Sequence, residues 1–333
     1  MLHRLLIVIG VLSMFTGFAM AQEEQDHHGE DPQNAVTSYR LLTPSAGDFL
    51  TVPDEDGGED GDGAGKSANK VGINAYVDVN ERIKAGVLTP FYRFSPKFAM
   101  KAHVPIIWDL SGTYGGEELS TSGLGDVTLD GEYTHALNSP GAVLRFSASV
   151  KLPTGDDENT VEDDGGFEWV MPLGTGTTDY VVRGQFAKAC PKRGLLIGAM
   201  YRKNSPTETS STLGSVTETI KDTAPNQIVL SAFGRQRVSR SWWLHLGASM
   251  LKQGDGERIT EYSDGSPEFD WGANRAGTLV DIYPGVSYAL GMFNPYLGVR
   301  LPVATSYDND SFDDEREVSF IFQFSYRPES LNR

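Results

Sequence analysis

The chain has almost no cysteine. Its 333 residues include a single one, Cys190, so no disulfide can form within the chain. Disulfides stabilise many small exported domains, and this composition excludes that route to stability. A reactive thiol needs a nearby base or metal, and neither a His nor a second Cys lies near Cys190 in the sequence. We therefore interpret Cys190 as a small residue close to a turn.

Long apolar runs are missing after the first twenty or so residues. The only such run, 5–19, follows Arg4 and leads into Ala19-Met20-Ala21, the small-x-small pattern of a cleavage site. We interpret residues 1–21 as a signal peptide and expect the mature chain to begin at Gln22. An uncleaved anchor helix is the alternative, but the run is short for a bilayer span. The mean hydropathy of −0.31 does not exclude membrane strands, because only every second residue of such a strand faces lipid.

Positive charge is scarce. The 28 Lys and Arg residues face 45 Asp and Glu, which gives a formal charge of −17 and disfavours nucleic acid and anionic membrane surfaces as partners. Much of this excess lies in residues 22–69, above all at 54–62, and such stretches bury too little apolar area to fold. We expect 22–69 to be an acidic, largely disordered periplasmic arm. No register of the acidic residues matches an EF-hand calcium loop, and His27-His28 is interpreted as solvated rather than as a metal site.

From residue 71 onward the sequence alternates apolar and polar residues. Near the end, for example, Phe320, Phe322 and Phe324 alternate with Ser319, Gln323 and Ser325. A period of two is typical of a β-strand with one apolar and one polar face, and the segments are long enough for tilted strands to cross a bilayer. The sequence predicts twelve strands, at about 71–80, 84–94, 98–110, 123–137, 142–155, 176–189, 195–205, 226–238, 242–254, 277–290, 295–308 and 317–327. The pattern leaves the inward and outward faces of the eighth strand undecided.

Two kinds of connection join these segments. Short ones, rich in turn-forming residues, lie at 95–97, 138–141, 191–194, 239–241 and 291–294. Longer ones lie at 111–122, 156–175, 206–225, 255–276 and 309–316, and the two kinds alternate from the second strand onward. Outer-membrane barrels have short periplasmic turns and longer extracellular loops. The sequence therefore predicts an all-β, transmembrane, up-and-down antiparallel β-barrel of about twelve strands over 70–327, followed by a tail at 328–333.

Alternation alone does not separate a barrel from a soluble sandwich, which would bury the apolar face inside. Two features favour the barrel. The polar face carries many charges, and aromatic residues gather near the short turns, namely Tyr92, Phe94, Phe98, Trp242, Trp243, Tyr288 and Tyr296. Rings at such positions would form the interfacial girdle of a membrane barrel. Closure would also remove the exposed edges of long apolar strands.

Three motifs lie at strand ends. They are Gly123-Leu124-Gly125-Asp126, Val150-Lys151-Leu152-Pro153-Thr154-Gly155-Asp156 and Leu173-Gly174-Thr175-Gly176-Thr177-Thr178-Asp179-Tyr180. Together and in this order they resemble the meta-pathway phenol-degradation family of outer-membrane proteins, with a likeness over 83–327. The resemblance implies a barrel linked with uptake of aromatic or other hydrophobic compounds, and it implies no catalytic residues. From the residues alone, the glycines suit strand ends and the aspartates suit turn capping, with a ligand role at the rim as the alternative.

The alternation points ten charged or titratable side chains inward. These lumen-lining candidates are Lys101, His103, Asp130, Glu132, Arg145, Lys151, Arg183, Arg202, Asp281 and Arg300. They would either pair across neighbouring strands or set the selectivity of a pore. A barrel of twelve strands is intermediate between a filled barrel and an open porin. The acidic loop 156–175 is expected at the outer mouth, either folded inward as a constriction or solvated.

These features predict a passive channel or uptake barrel for small, aromatic or hydrophobic molecules in a Gram-negative outer membrane, with no enzymatic activity, cofactor or metal. The expected partners are outer-membrane lipid, the barrel-assembly machinery and small solutes. A structural or adhesive barrel is the first alternative, with apolar residues of 34–53 plugging the lumen. A lipid hydrolase is less favoured, because the outward His135 falls near a short turn and no G-x-S-x-G elbow occurs. His103 and His245 are interpreted as polar lumen residues rather than general bases.

Overall fold

The computed structural model describes residues 71–326, except 81, 115–116, 158, 214–215, 264–268, 271–275, 291–292 and 308–317. The expected signal peptide, acidic arm and C-terminal tail lie outside the described residues. Within the described ranges, no helix is long and apolar enough to cross a membrane. The regular elements of these ranges are strands.

Nineteen strands follow one another along the described chain. In order they are β1 (Val71–Val79), β2 (Ile83–Arg93), β3 (Phe98–Tyr114), β4 (Glu117–Leu124), β5 (Thr128–Ala136), β6 (Ala142–Lys151), β7 (Thr160–Glu162), β8 (Glu168–Val170), β9 (Asp179–Cys190), β10 (Arg193–Lys203), β11 (Pro206–Leu213), β12 (Val216–Thr223), β13 (Gln227–Arg237), β14 (Trp242–Gln253), β15 (Glu257–Tyr262), β16 (Phe269–Asp270), β17 (Gly277–Tyr288), β18 (Phe293–Tyr307) and β19 (Ser319–Tyr326).

Twelve of these strands form one closed antiparallel barrel. Around the ring the order is β1, β2, β3, β5, β6, β9, β10, β13, β14, β17, β18 and β19. Each barrel strand pairs with the next one along the chain, and β1 pairs with β19 to complete the ring. The prediction of a twelve-stranded up-and-down barrel is confirmed.

Burial along the strands is inverted relative to a soluble protein. On β19 the polar Ser319, Gln323 and Ser325 are buried, whereas Phe320 is 57% exposed. On β13 Gln227 and Ser231 are buried while the neighbouring Ile228 and Leu230 are exposed, which decides the register that the sequence left open. An apolar outer wall around a polar interior is the arrangement of a transmembrane barrel. A sandwich would have buried the opposite face.

One predicted strand is interrupted. The sequence predicts a single strand over 123–137, but β4 ends at Leu124 and β5 begins at Thr128. Between them Gly125 N still donates a hydrogen bond to Pro105 O at 3.1 Å, while Val127 N turns to Thr154 Oγ1 at 2.8 Å. An irregularity of this kind changes the direction in which a side chain points. Because the apolar–polar alternation of the sequence continues through 125–127, the sequence gives no sign of the break.

The long connections contain strands of their own. The upper part of β3 pairs with β4, so the predicted connection 111–122 is largely a hairpin. Strands β7 and β8 form a second hairpin within 156–175. Strands β11, β12, β15 and β16 form a separate four-stranded sheet that belongs to 206–225 and 255–276. The short turns all lie at the other end of the barrel, where β1 begins.

Outward aromatic rings surround the short-turn end, as predicted for a girdle. Tyr92, Phe94, Phe98 and Trp242 are between 44% and 59% exposed. Neighbouring rings contact each other, with centroids 5.0 Å apart in Trp242–Tyr288 and 4.8 Å apart in Tyr92–Phe94. Rings of this kind suit the boundary between hydrocarbon and headgroups.

Two residues assigned to this girdle were assigned wrongly. Tyr296 is only 2% exposed and lies inside the barrel, over Gly285 and Gly298, where an added Cβ would come within 2.3 Å of its hydroxyl. Trp243 lies on the inner face of β14, with the guanidinium carbon of Arg235 4.6 Å from its ring centroid. The physical reason is the two-residue period, since Tyr296 is an even number of residues from the inward Arg300.

Candidate functional site: the barrel interior

All ten residues selected from the sequence lie on the less exposed faces of their strands. Asp130, Arg145, Lys151, Arg202, Asp281 and Arg300 are buried, and Lys101, His103, Glu132 and Arg183 are half-buried. Hydrogen bonds and ion pairs divide most of the charged residues into three groups at different positions around the ring. Most of these charges therefore lie within reach of an opposite charge or a hydroxyl, and the interior is a set of polar networks rather than one ring of charge.

The first group brings the three sequence motifs together at the long-loop end. The carboxylate of Asp126 accepts hydrogen bonds from the amides of Thr154 at 3.1 Å, Gly155 at 3.0 Å and Thr175 at 2.8 Å. These amides belong to the second and third motifs, so Asp126 caps the backbone of two connections other than its own. Capping was the role expected for this aspartate.

Lys151 links this capped backbone to the barrel wall. Its ammonium nitrogen lies 3.2 Å from the Asp126 carboxylate and 2.6 Å from that of Asp179, and it also contacts Thr175 and Thr177. Arg202 pairs with the same carboxylate of Asp179, and all four charged side chains are at most 5% exposed. Buried carboxylates and cations thus alternate in the order Asp126, Lys151, Asp179, Arg202, and such pairing is the condition under which buried charge is tolerated.

Glycines allow the motifs to approach this closely. A Cβ added to Gly155 would lie 2.8 Å from Gly174 Cα, and one added to Gly174 would lie 2.6 Å from the Asp126 carboxylate. Gly176 has a φ of +63°, in the region that other residues avoid. The motif glycines are therefore required by backbone contact and conformation, as the turn-forming interpretation expects.

The second group lies on β3, β5 and β6. Lys101 Nζ is 2.6 Å from Glu132 and 4.0 Å from Asp130, and Ser149 Oγ donates to Asp130 at 2.6 Å. Lys101, Asp130 and Ser149 are direct cross-strand partners. The sequence predicted these charges to face inward, but it did not show that they are adjacent in register. His103 lies beside them and shares a 3.1 Å hydrogen bond with Thr89.

The third group spans β1, β18 and β17. Arg300 Nη1 lies 3.1 Å from Asp78, which also accepts a 3.0 Å hydrogen bond from the Tyr76 hydroxyl. Asp281 accepts from the Tyr283 hydroxyl at 3.4 Å. Sequence reasoning missed Asp78, although its position between Val77 and Val79 places it on the polar face of β1.

Sequence reasoning also missed an apolar and aromatic part of the interior. One contiguous cluster contains Tyr76, Val87, Ala187, Leu196, Phe233, Tyr283, Tyr296 and Ile321. Its members come from eight strands but not from β3 or β5, which carry the second charged group. Since β17 is six positions from β5 in the ring of twelve, Tyr283 and Glu132 lie on opposite walls. We call its four aromatic members, Tyr76, Phe233, Tyr283 and Tyr296 of β1, β13, β17 and β18, the aromatic wall, and the Lys101–Asp130–Glu132 side the charged wall.

The acidic loop at the outer mouth is attached to the barrel. Met171 and Leu173 are buried against Ile107, Leu110 and Leu119 of the β3–β4 hairpin. Asn159 Nδ2 donates to Thr121 Oγ1 at 2.9 Å, and the amide of Asp164 donates to Glu117 at 2.8 Å. The loop 156–175 therefore packs on the neighbouring hairpin through its apolar residues, while its acidic residues stay mostly exposed.

A serine and a histidine are in contact in the interior. His245 Nε2 lies 2.7 Å from Ser287 Oγ, and Tyr296 packs edge-on against the imidazole at 5.2 Å. A hydrolytic triad needs an acid that orients the histidine, and no contact between His245 and a carboxylate occurs among the residues that the structure describes. Nor do these residues contain a group of three side chains suited to bind a metal ion.

Comparison with family models finds no match, and comparison with curated proteins finds none either. Among solved structures, an outer membrane channel from Pseudomonas putida F1 is similar, with a TM-score of 0.55 and 14% identity over 80% of this chain and 98% of that one. NanC porin has a TM-score of 0.45 at 9% identity over 78% and 100% of the two chains. The Pseudomonas putida toluene transporter TodX has a TM-score of 0.44 at 10% identity over 79% and 91%. The first of these similarities establishes the fold, that of an outer-membrane β-barrel.

Proposed function

We propose that this chain is a passive channel or uptake protein of the outer membrane for small molecules that carry an aromatic ring and a polar group. The observation that carries the proposal is the pair of unlike walls inside the barrel. The aromatic wall offers faces and edges to a ring. The charged wall offers donors and acceptors to a polar substituent. A solute with both features would replace its hydration on both sides as it crosses.

Neither a catalytic step nor a cofactor is needed for this role. Most lumen charges have partners within the barrel, which leaves a solute to exchange weak contacts along the wall. Conduction requires binding that is strong enough to admit a solute and weak enough to release it. The meta-pathway resemblance of the three motifs is in keeping with aromatic compounds as the solutes, and the lipid-facing apolar wall is in keeping with an outer-membrane location.

Conductance of the purified, full-length protein in a planar bilayer tests the channel role. Swelling of loaded liposomes then tests the solute class, with benzyl alcohol and benzoate set against a non-aromatic alcohol and carboxylate of matching size. We expect discrete conductance steps and faster swelling with the ring-bearing member of each pair. Equal rates within both pairs would contradict the solute class. Absence of both current and swelling would contradict the channel.

A closed structural barrel is the second candidate, and the completeness of interior burial favours it. Lys151, Arg202, Leu196, Tyr296 and Ile321 expose at most 2% of their surface. Recordings with and without residues 22–68 separate the cases. Current in both proteins indicates an open pore, current only after deletion indicates a plug formed by the arm, and silence in both favours the structural barrel.

A further inference from the structure

The end of the barrel with the short turns is strongly basic. We define the basic rim as Arg93, Lys97, Lys188, Lys192, Arg193, Arg235, Arg237 and Arg240. The ranges that surround the short turns, 90–99, 134–144, 186–197, 233–244 and 285–298, contain no Asp or Glu. The charge of the rim is therefore not neutralised by neighbours in sequence, and a concentration of one sign attracts an anionic partner.

Part of the rim is held in place at the mouth of the barrel. The guanidinium carbons of Arg235 and Arg237 lie 4.6 Å and 5.7 Å from the ring centroid of Trp243, on the inner face of β14. Arg237 Nε also donates to Ser239 O at 3.1 Å. Lys97, Lys192 and Arg240 are exposed in the turns themselves. Stacking on an aromatic ring holds a guanidinium group in position.

The chain enters the barrel at this same end. Val71, the first residue of β1, pairs with Tyr92, next to the turn at 94–97. The sequence just before Val71 contains a run of six acids, Asp54, Glu55, Asp56, Glu59, Asp60 and Asp62. The most acidic segment of the chain is thus joined covalently to the most basic end of its barrel.

The connecting segment is long enough for the run to reach the whole rim. Eight residues lie between Asp62 and Val71, and the nine extended steps from one to the other span about 30 Å. Twelve tilted strands at a spacing of about 4.8 Å enclose a barrel roughly 24 Å across. A tether of this length also gives the run a millimolar effective concentration at the rim, which lets individually weak ion pairs add up.

We propose that the acidic run 54–62 docks on the basic rim of its own chain. Six carboxylates then face eight cationic side chains that have no acidic neighbours in sequence. Anionic phospholipid headgroups are the competing occupant, but they lack the tether. The docking does not depend on whether the barrel conducts, so it stands or falls separately from the transport proposal.

Carbodiimide cross-linking of the full-length protein in phosphatidylcholine vesicles tests the docking. The reagent joins a carboxylate to a lysine amine as an amide and itself takes up the water that is lost, becoming a urea. Mass spectrometry then identifies the lysines joined to residues 54–62. We expect Lys97, Lys188 and Lys192 at low salt, and loss of these amides in 1 M salt, where screening acts within about 3 Å. Lys203 and Lys252, exposed at the long-loop end, are internal controls.

A variant with the six acids changed to their amides should give no rim cross-links while keeping the gel mobility of the folded barrel. Cross-links that are absent at low salt, or that reach Lys203 and Lys252 equally, would overturn the proposal. Vesicles containing phosphatidylglycerol provide the last comparison. Persistence of the rim amides supports the arm as occupant, and their loss would identify the rim as a lipid site instead.

Discussion

The ammonium nitrogen of Lys151 lies 2.6 Å from the carboxylate of Asp179, and both side chains are at most 2% exposed. Lys151 belongs to the second sequence motif and Asp179 to the third, and Asp126 of the first motif lies 3.2 Å from the same ammonium. The three motifs are therefore one structural unit that fastens the loop 156–175 to the inner wall. Their order along the chain reflects three strand ends that meet at one place.

Removal of the Lys151 charge should destabilise the folded barrel. In Lys151→Met the carboxylate of Asp126 loses its buried cation, and breaking a buried pair in this way costs about 3–5 kcal/mol. The folded barrel should lose its fast gel mobility in detergent at a lower temperature. Lys203→Met, at an exposed position near the same end of β10, is the matched control. Equal melting of both variants would show that the network contributes little.

A methyl group at Gly174 should loosen the outer loop. Its Cβ would come within 2.6 Å of the Asp126 carboxylate and 2.9 Å of the Gly155 backbone, and such overpacking costs about 1–3 kcal/mol. We expect Gly174→Ala to be cleaved faster by protease within 156–175 while the barrel stays folded. Gly131→Ala, whose nearest neighbour would be 3.9 Å away, should behave as the parent protein. Unchanged cleavage of Gly174→Ala would argue against close packing of the motifs.

Truncation of Tyr296 should widen the lumen. Its ring is buried over Gly285 and Gly298 on the aromatic wall, so Tyr296→Ala removes bulk from the inside only. We expect a larger single-channel conductance than in the parent. Tyr288→Ala, which removes a ring that contacts the outward Trp242, serves as the control and should leave conductance unchanged. A rise in both variants, or in neither, would contradict the inward role of Tyr296.

A charge on the outer wall should oppose insertion. Leu246 is 64% exposed near the middle of β14, and an arginine on the lipid face at the bilayer midplane costs about 2–4 kcal/mol. Urea titration of Leu246→Arg in vesicles should report a loss of that size. Ser241→Arg, in a short turn at the barrel end, should be close to neutral. If Leu246→Arg also proved neutral, the assignment of this wall to hydrocarbon would be wrong.

Acid should weaken the β7–β8 hairpin. The hydrogen bond from Trp169 Nε1 to Asp163, at 2.9 Å, together with backbone amides such as that of Phe167, holds the pKa of this carboxylate below its ordinary value of 3.8. A lowered pKa means that the ionised form supports the hairpin. The stabilisation of the hairpin by Asp163 is complete above the ordinary pKa of the carboxyl group. It is lost as the pH falls through the lowered pKa of the folded hairpin.

Amide hydrogen exchange at Phe167 provides the measurement for the hairpin. Exchange of this amide, corrected for the intrinsic pH dependence, should lose protection as acid is added. In Asp163→Asn the protection should already be weaker at neutral pH and should change less with acid. A pH profile shared by the parent and Asp163→Asn would exclude this carboxylate as the cause.

The barrel could be predicted from the sequence because membrane strands carry two redundant signals. The two-residue period fixes the faces, and the alternation of short and long connections fixes the topology. Most strand limits follow from these signals, as for β14, predicted at 242–254 and observed at Trp242–Gln253. The break at Asp126 could not be predicted, because it depends on hydrogen bonds to connections distant in sequence.

The sequence identified many of the inward-facing residues, but it did not identify which of them contact each other. Parity alone placed Lys101 and Glu132 on the same face, yet their pairing depends on the register between β3 and β5, which the sequence does not state. The aromatic wall was missed for a different reason. Tyr296 lies near a short turn and was predicted to belong to the outer girdle, and the sequence left the faces of the strand that carries Phe233 undecided.

The join between β1 and β19 has a consequence for how the molecule is made. Ser325 Oγ donates to Asn74 Oδ1 at 2.6 Å, across 251 positions of the chain. β1 can therefore pair with β19 only after the chain has been exported as far as β19, and until then one edge of β1 lacks this partner. A chain truncated before Ser319 would leave one edge of β1 and one edge of β18 unpaired. Unpaired strand edges can pair with other chains. Closure of the ring thus depends on β19, the strand that pairs with β1.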